Sequence, residues 1–573
     1  MATQLGGLAL EGTDPRLQEP VAAHAHKGRI PFEELLYYAK LQRQKEVDAD
    51  KAYAITNPEK PSLIGGLFKR KDNNSSAPAI TEKEDSVDEK REKMDTEKAP
   101  SMVSDEEKTA AYRAIRTASW LSIFYLITTD ILGPTSAPWA FSQLGFASGT
   151  VLFFILGVIA FYTGMQLWYM YLKLDSDKYP VQNYSDLTER IYGRFARHAI
   201  NILQTLQLLF NVAVIICENT QGLSQVSKGK VCFSVLAVIW MVAGMIIGQI
   251  RSLRNYGSLA HWAIWMNLIV IFITMGAVAH SAPNFAAALQ ENNVPMGSGV
   301  VITSAKISLP FTDQIVGVMQ MVYSYGGAML FIELMAEMRK PFDFWKGMVC
   351  AQLLIVTAYL LFGVYVYAFQ GQYTINPANQ GISGFGLQTA TNVISLVSAL
   401  IAAGLYGNIG LKVIYVNIVQ DLFGGPPLVS KAGRYIWIGI VLAYWAIAFI
   451  VASAIPQFSN ISALVAALCI LQFTYTFPPI LYVGFAVQRD AIDGQEEYRP
   501  GMSVQQLRKD TWHDFSRWRR GFGKRWWLNI CNILLFLAAL ATAGLGAFSS
   551  IEGIIKGFQT SGAATSFGCR APV

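Results

Sequence analysis

Two long apolar stretches of this 573-residue chain are broken near their middles, and they stand five stretches apart. The first, WLSIFYLITTDILGPTSAPWAFSQLG from Trp120 to Gly145, carries Asp130, Gly133, Pro134 and Pro138 where one continuous membrane helix would run. The second, IVGVMQMVYSYGGAMLFIELMAEM from Ile315 to Met338, is interrupted by Gly326 and Gly327. Proline lacks the N–H that a helix interior needs, and glycine weakens a helix through its backbone freedom. Inside a bilayer no water replaces the lost bonds, so such breaks are tolerated only where protein or a wet cavity surrounds them. Paired interruptions in corresponding positions of two halves point to the binding site of a transporter. The chain is therefore expected to carry a solute across a membrane.

The residues are 52% hydrophobic and 15% charged, and the charge is concentrated in the first hundred or so positions, as in TEKEDSVDEKREKMDTEK from Thr81. The remainder reads as eleven apolar spans, at roughly 119–144, 149–172, 197–219, 231–250, 259–281, 314–338, 348–370, 389–420, 434–455, 459–487 and 526–549. The start, MATQLGGLALEGTDPRLQEP, lacks the basic and apolar regions of a cleavable signal, so the first span is expected to act as the signal anchor. A net charge of +6 does not point to nucleic acid, because the basic residues cluster beside the spans. No GxxxxGK[ST] motif for a nucleotide-driven pump is present.

Lysine and arginine set the orientation. With the N-terminus in the cytoplasm, the inner loops carry Lys173, Lys178, Arg190, Arg194, Arg251, Arg254, Arg339, Lys340, Lys346, Lys431, Arg434 and a cluster from Arg489 to Arg525. The outer loops carry Lys228, Lys230 and Lys306, with Lys556 and Arg570 in the tail. The expected organisation is a cytoplasmic, largely disordered tail over 1–118, a transporter domain over 119–550 and an extracytoplasmic tail over 551–573. Within the first tail, Phe32, Leu35, Leu36, Ala39 and Leu41 predict a short amphipathic helix over about 31–46, docked on the cytoplasmic face or on lipid. The lysine- and serine-rich stretch after it suits ubiquitination and phosphorylation.

Cys350, Cys469 and Cys531 fall inside spans and read as small buried hydrophobes. Cys217 and Cys232, near the outer ends of consecutive spans, are the candidate disulfide pair. His198, His261 and His280 sit at span ends without clustering, so neither a metal site nor a cofactor is expected. An enzyme is disfavoured because no convergent His/Asp/Glu or Cys motif appears.

ILGPTSAPWAFSQLGF from Ile131 resembles the opening motif of the amino acid/auxin permease family, particularly its fungal amino acid transporters. YPVQNYSDLTERIYGRFARH from Tyr179 is similar to the loop between that family's second and third spans, and YSYGGAMLFIELMAEMRKPFDFWKG from Tyr323 to its sixth span. The likeness runs in order from about residue 110 to 550. The family commonly shows Gly-x-Gly before Leu-Ser-Leu-Pro; here Ile131 stands at the first glycine's place and Gly133 at the second. The resemblance implies a leucine-transporter-like all-α membrane fold. In it, two inverted repeats of five spans precede one extra helix, and spans 1 and 6 unwind at the bilayer midplane to bind substrate.

A zwitterion presents two charges to such breaks. A half-helix N-terminus offers N–H donors and a positive dipole end to the carboxylate, and freed carbonyls accept from the ammonium. Candidate substrate-binding residues are Thr129, Asp130, Leu132, Gly133, Thr135 and Ser136 in span 1, with Tyr323, Ser324, Tyr325, Gly326 and Gly327 in span 6. The glycine pair also suits close helix packing. Asp130 is a candidate for proton coupling or for pairing with the substrate's ammonium, because burial disfavours a charged carboxylate; capping the broken helix is its structural alternative. Lys412, in span 8, is the candidate counter-charge, or else it snorkels to the inner interface. The related architecture builds a sodium site from spans 1 and 8, and a lysine there favours proton coupling. Tyr406 and Asn408 are its polar neighbours, and Glu333 is a further ion-coupling candidate lining the inner vestibule. Glu337 is expected to pair with Arg339, Lys340 or Lys346, and Glu218 to be a solvated charge at the outer rim.

The sequence thus reads as a secondary transporter of neutral amino acids in the plasma membrane or vacuole, driven by protons through alternating access. The alternatives are a carrier of another amine or nucleobase, separable by competition, and a sensor that binds without transport, separable by flux.

Overall fold

In the computed structural model the described residues are 30–56, 116, 118–250, 253–426, 428, 430–502, 508, 510–559 and 565–571. They form helices joined by loops, with two isolated β-bridges, Ala118 to Met338 and Pro283 to Ile382. Nine described helices are long and apolar enough to cross a membrane. Two shorter apolar ones, Trp120–Ile131 and Phe233–Ile247, stand at the first and fourth expected spans. Side chains such as Phe154 and Val158, Phe272, Leu361 and Leu534 remain exposed, as faces turned toward lipid would be. The chain is a multi-pass membrane protein.

The first span is two helices. α2 (Trp120–Ile131) begins at Ser119, whose hydroxyl caps Ser122 N–H, and ends before Gly133 and Pro134. After one tight turn, Pro134–Ser136, α3 (Ala137–Leu144) resumes the path. α4 (Phe146–Leu174) returns across the bundle, and α5 (Tyr184–Tyr192) leads into α6 (Arg194–Val226). α7 (Phe233–Ile247), α8 (Leu253–His280) and the short loop helix α9 (Phe285–Asn292) follow. The sixth span is also split. α10 (Phe311–Ser324) stops at Tyr325, Gly326 and Gly327 form the link, and α11 (Phe331–Glu337) continues it. α12 (Phe344–Gln370), α13 (Phe385–Ile414), α14 (Lys431–Ala454), α15 (Phe458–Val465) and α16 (Phe477–Ala491) come next. α17 (Phe515–Gly523) and α18 (Trp526–Gln559) complete the order.

Packing explains where a cavity can form. α13 lies against α6 and α8, α12 against both halves of the first span, and α10 against α3. The two breaks touch: a Cβ added at Gly327 would stand 2.5 Å from Ile131 Cγ1 and 2.8 Å from Asp130 Oδ2. Only glycine lets the backbones approach so closely.

The amphipathic helix is longer than the sequence reading, running as α1 over Phe32–Thr56. It buries Phe32, Leu35 and Ala39 in the main core. Glu33 grips Arg508 through two bonds of 2.7 Å, Glu34 accepts from Tyr179 at 2.7 Å, and Arg43 donates to Asp175 at 3.2 Å. α1 thereby joins the segment after α4 to the segment after α16. The stretch read as a target of ubiquitination and phosphorylation lies outside the described residues.

The expected Cys217–Cys232 disulfide does not form; Cys232 pairs with Cys569. Cys217 points into the core at 1% exposure, nine residues before the end of α6, roughly 14 Å from it at 1.5 Å per residue. The tail after α18 folds back instead, where Phe233 N–H donates to Cys569 O at 3.0 Å and Phe567 N–H to Ser453 O at 3.0 Å.

Candidate functional site

A cavity of about 160 Å³ lies at the first-span break, beside Tyr323, Ser324 and Gly326 of the sixth span. Its size, below the roughly 300–1,000 Å³ of pockets for drug-sized ligands, suits a small solute. Backbone freed by the break is partly satisfied from neighbouring helices. Tyr359 of α12 donates to Ile131 O at 2.5 Å and accepts from Gly133 N–H at 3.1 Å, so one hydroxyl braces both sides of the break. Asn267 of α8 donates to Leu132 O at 2.8 Å and accepts from Ser398 of α13 at 2.9 Å.

Asp130 sits in this wall. Its Oδ1 accepts from the Tyr406 hydroxyl at 2.6 Å. Lys412 does not reach it: six residues further along α13, the lysine interacts with Glu337 at the far end of the sixth span. Six residues are about 9 Å along a helix, which separates the two acids. The expected Asp130–Lys412 pair is thus replaced by Asp130–Tyr406, and Glu337 faces Lys412, while Lys346, one of the loop cations foreseen for it, pairs with Asp343 at 2.6 Å.

Of the sequence candidates, Thr129, Asp130, Leu132, Gly133, Thr135, Tyr323, Ser324 and Gly326 line the cavity. Ser136, Tyr325 and Gly327 do not. Ser136 is fully buried beneath α3. Tyr325 turns away to donate to Phe153 O at 3.0 Å, and Gly327 is pressed onto Ile131. Asn408 stands two residues, about 200° of helix turn, beyond Tyr406, and donates instead to Ile250 O at 2.6 Å. Glu333 accepts from Gln204 of α6 at 2.9 Å, outside the cavity wall.

Glu218 corrects the sequence reading most. It lines the cavity and accepts from Thr135 Oγ1 at 3.0 Å, rather than standing solvated at a rim. The reason is helix length. α6 continues to Val226, two turns past the expected span end at 219, and this draws Glu218 inward. An acid within LLFNVAVIICENTQG was the available signal. Asn211, Asn219, Asn267, Tyr359, Ser395 and Ser398 complete the polar wall; each is a polar residue in an apolar run, which pattern alone cannot tell from a helix contact. No Lys, Arg or His is among the described residues lining it.

Residues 116–498 match the family described as transmembrane amino acid transporter protein. A similar protein is the N amino acid transport system protein of Neurospora crassa, 23% identical over 78% of this chain and 87% of its own length. A transmembrane transporter of Gibberella moniliformis is 26% identical over 68% of this chain and 80% of its own. The lysine histidine transporter-like 3 protein of Arabidopsis thaliana is 22% identical over 65% and 82%. Among solved structures, the nucleobase-cation-symport-1 family transporter Mhp1, closed around bromovinylhydantoin, aligns with a TM-score of 0.40. That alignment has 12% identity and covers 78% of this chain and 94% of that one.

Proposed function

The chain belongs to the transmembrane amino acid transporter family, and from that premise we propose that it is a proton-coupled symporter of neutral amino acids working by alternating access. The observation that carries the reading is Asp130, a carboxylate at the helix break, held by a tyrosine hydroxyl and facing a small cavity without a basic neighbour in the wall. Such an acid exchanges a proton with a change in its surroundings, and moving helix halves supply that change. The substrate's ammonium meets carbonyls and Asp130, while its carboxylate meets the start of α3. The cavity's size favours a solute as small as an amino acid. The loop lysines and arginines orient α1 toward the cytoplasm and the C-terminal tail toward the other side. The plasma membrane is the proposed location, with the vacuole as the alternative.

Uptake by purified protein in proteoliposomes, with proton and sodium gradients imposed separately, tests the reading. Accumulation of a neutral amino acid driven by protons alone is expected. Accumulation that follows sodium and ignores pH would overturn it.

A further inference from the structure

We propose that Glu218 is the proton-dependent partner of the substrate's carboxylate: the anion is admitted beside it only when Glu218 carries a proton. The inference rests on the reading of the chain as an amino acid transporter and assigns the pH sensitivity of substrate affinity to a second acid.

The first N–H groups of a helix have no intrahelical acceptor, and that end carries partial positive charge, so an anion is drawn there. α3 has no side-chain cap of its own; Ser136 precedes it with a buried, unpartnered Oγ. Yet this end already has a resident carboxylate, because Glu218 takes the Thr135 hydroxyl at 3.0 Å. Thr135 and Glu218 line the same cavity. On α6, Asn211 lies two turns before Glu218 on the same face and also lines it, with Oδ1 unpartnered and the residue only 7% exposed. That buried acceptor calls for a donor in the cavity, such as an ammonium.

Two carboxylates at one desolvated helix end repel each other. Protonation removes the resident charge and turns Glu218 from acceptor to donor, so its O–H can bond the substrate's carboxylate. Binding of one carboxylate is thus linked to uptake of one proton by Glu218.

Few groups compete for this role. Asp130 from α2, Tyr359 from α12 and Tyr406 from α13 share the cavity; Tyr323 from α10 interacts with Glu218, and Glu291 from α9 with the adjoining Cys217. α7 and α15, also packed on α6, contribute no titratable side chain. α14 brings Tyr444, which sits lower, against Gly410 and Leu208. The charged residues of α5 lie by the start of α6, where Glu189 pairs with Arg197 at 2.8 Å.

The test is equilibrium binding to purified full-length protein between about pH 5 and pH 8, with alanine, leucine and phenylalanine as probes beside their carboxamides. For the amino acids, Kd on the wild type is expected to rise by about tenfold per pH unit once Glu218 ionises. In Glu218→Gln, whose amide cannot ionise and still donates, Kd should stay flat within roughly twofold. The carboxamides lack the anion, so their affinity for the wild type should not fall as pH rises; this arm decides even if the variant does not fold. A wild-type Kd that ignores pH, a variant that keeps the wild-type profile, or a carboxamide that shares it would overturn the proposal. Proton-driven accumulation is read separately. Its loss alongside pH-dependent binding would overturn symport while leaving Glu218 in this role.

Discussion

The Tyr406 hydroxyl holds Asp130 at two points, reaching the carboxylate Oδ1 at 2.6 Å and the backbone carbonyl at 3.2 Å. One side chain from α13 thus fixes both the acid and the end of α2 that carries it. Asp130→Asn keeps the size and a hydrogen-bonding oxygen but cannot ionise. It is expected to abolish proton-driven accumulation, a loss of at least about tenfold, while exchange of substrate across the membrane persists in part. Tyr406→Phe should weaken accumulation less, because the acid survives. Accumulation by Asp130→Asn equal to wild type across pH would remove Asp130 from coupling.

Gly326 lies in the cavity wall, and a Cβ there would stand 2.5 Å from Ile470 Cγ2. Gly326→Ala should therefore raise the KM or block uptake, with overpacking of about 1–3 kcal/mol, and leave surface expression in place. Gly326→Leu should block uptake outright. The neighbour is the β-methyl of a stiff, β-branched side chain that Ile470→Ala removes, so Ile470→Ala in the Gly326→Ala background should restore part of the uptake. Unchanged KM in Gly326→Leu would put the substrate elsewhere.

The two breaks were legible because proline and paired glycines disrupt a helix through backbone chemistry alone, whatever surrounds them. Asp130 was legible for a similar reason: an acid in an apolar run announces its own cost. What failed to show were relationships between spans. Tyr406 and Asn408 look equivalent in YGNIGLKVIYVN, and only the packing of α13 turns the first toward Asp130 and the second toward Ile250. Glu218 was misplaced by the position of a helix end, since α6 runs on through the polar residues that had marked a boundary. The Cys232–Cys569 bond joins positions 337 residues apart, a separation at which spacing carries no information about contact.

α1 is held by buried ion pairs whose pH dependence has a definite sign. Burial pushes the Glu33 carboxyl up, but the Arg508 hydrogen bonds and the charges of Arg508 and Arg517 outweigh it and hold Glu33 below its ordinary 4.5. Burial likewise opposes Arg116 and Arg43 at Asp175, and the arginines hold it below 3.8. Depressed carboxyls contribute stability above their unfolded values and lose it as pH falls through the lower folded ones. Glu46, raised by burial despite Arg43, works the other way, so a Glu46→Gln background isolates the two depressed acids. Hydrogen exchange over α1 should stay slow near neutral pH and quicken only below the ordinary glutamate value. Glu33→Ala, which leaves Arg517 at 1% exposure without one of its two acids, should quicken it at neutral pH. Exchange that is equally slow in that variant would show that the apolar contacts of Phe32, Leu35 and Ala39 suffice.

The disulfide and α1 lie toward opposite ends of α6: α1 bonds Tyr179 in the segment that leads through α5 to the start of α6 at Arg194, and Cys232 follows the far end at Val226. If α1 faces the cytoplasm, Cys232 and Cys569 face an oxidising side, where such a bond persists. Digestion without reductant should yield one fragment joining the two cysteines, with Cys217 recovered as a free thiol. After reduction, a membrane-impermeant maleimide added to intact cells or right-side-out vesicles should label both. Replacing Cys569 with serine should release the tail and expose its backbone around Phe567 to protease, while substrate binding at the cavity continues. Labelling confined to inside-out vesicles would reverse the orientation, and with it the side from which Glu218 first meets a proton.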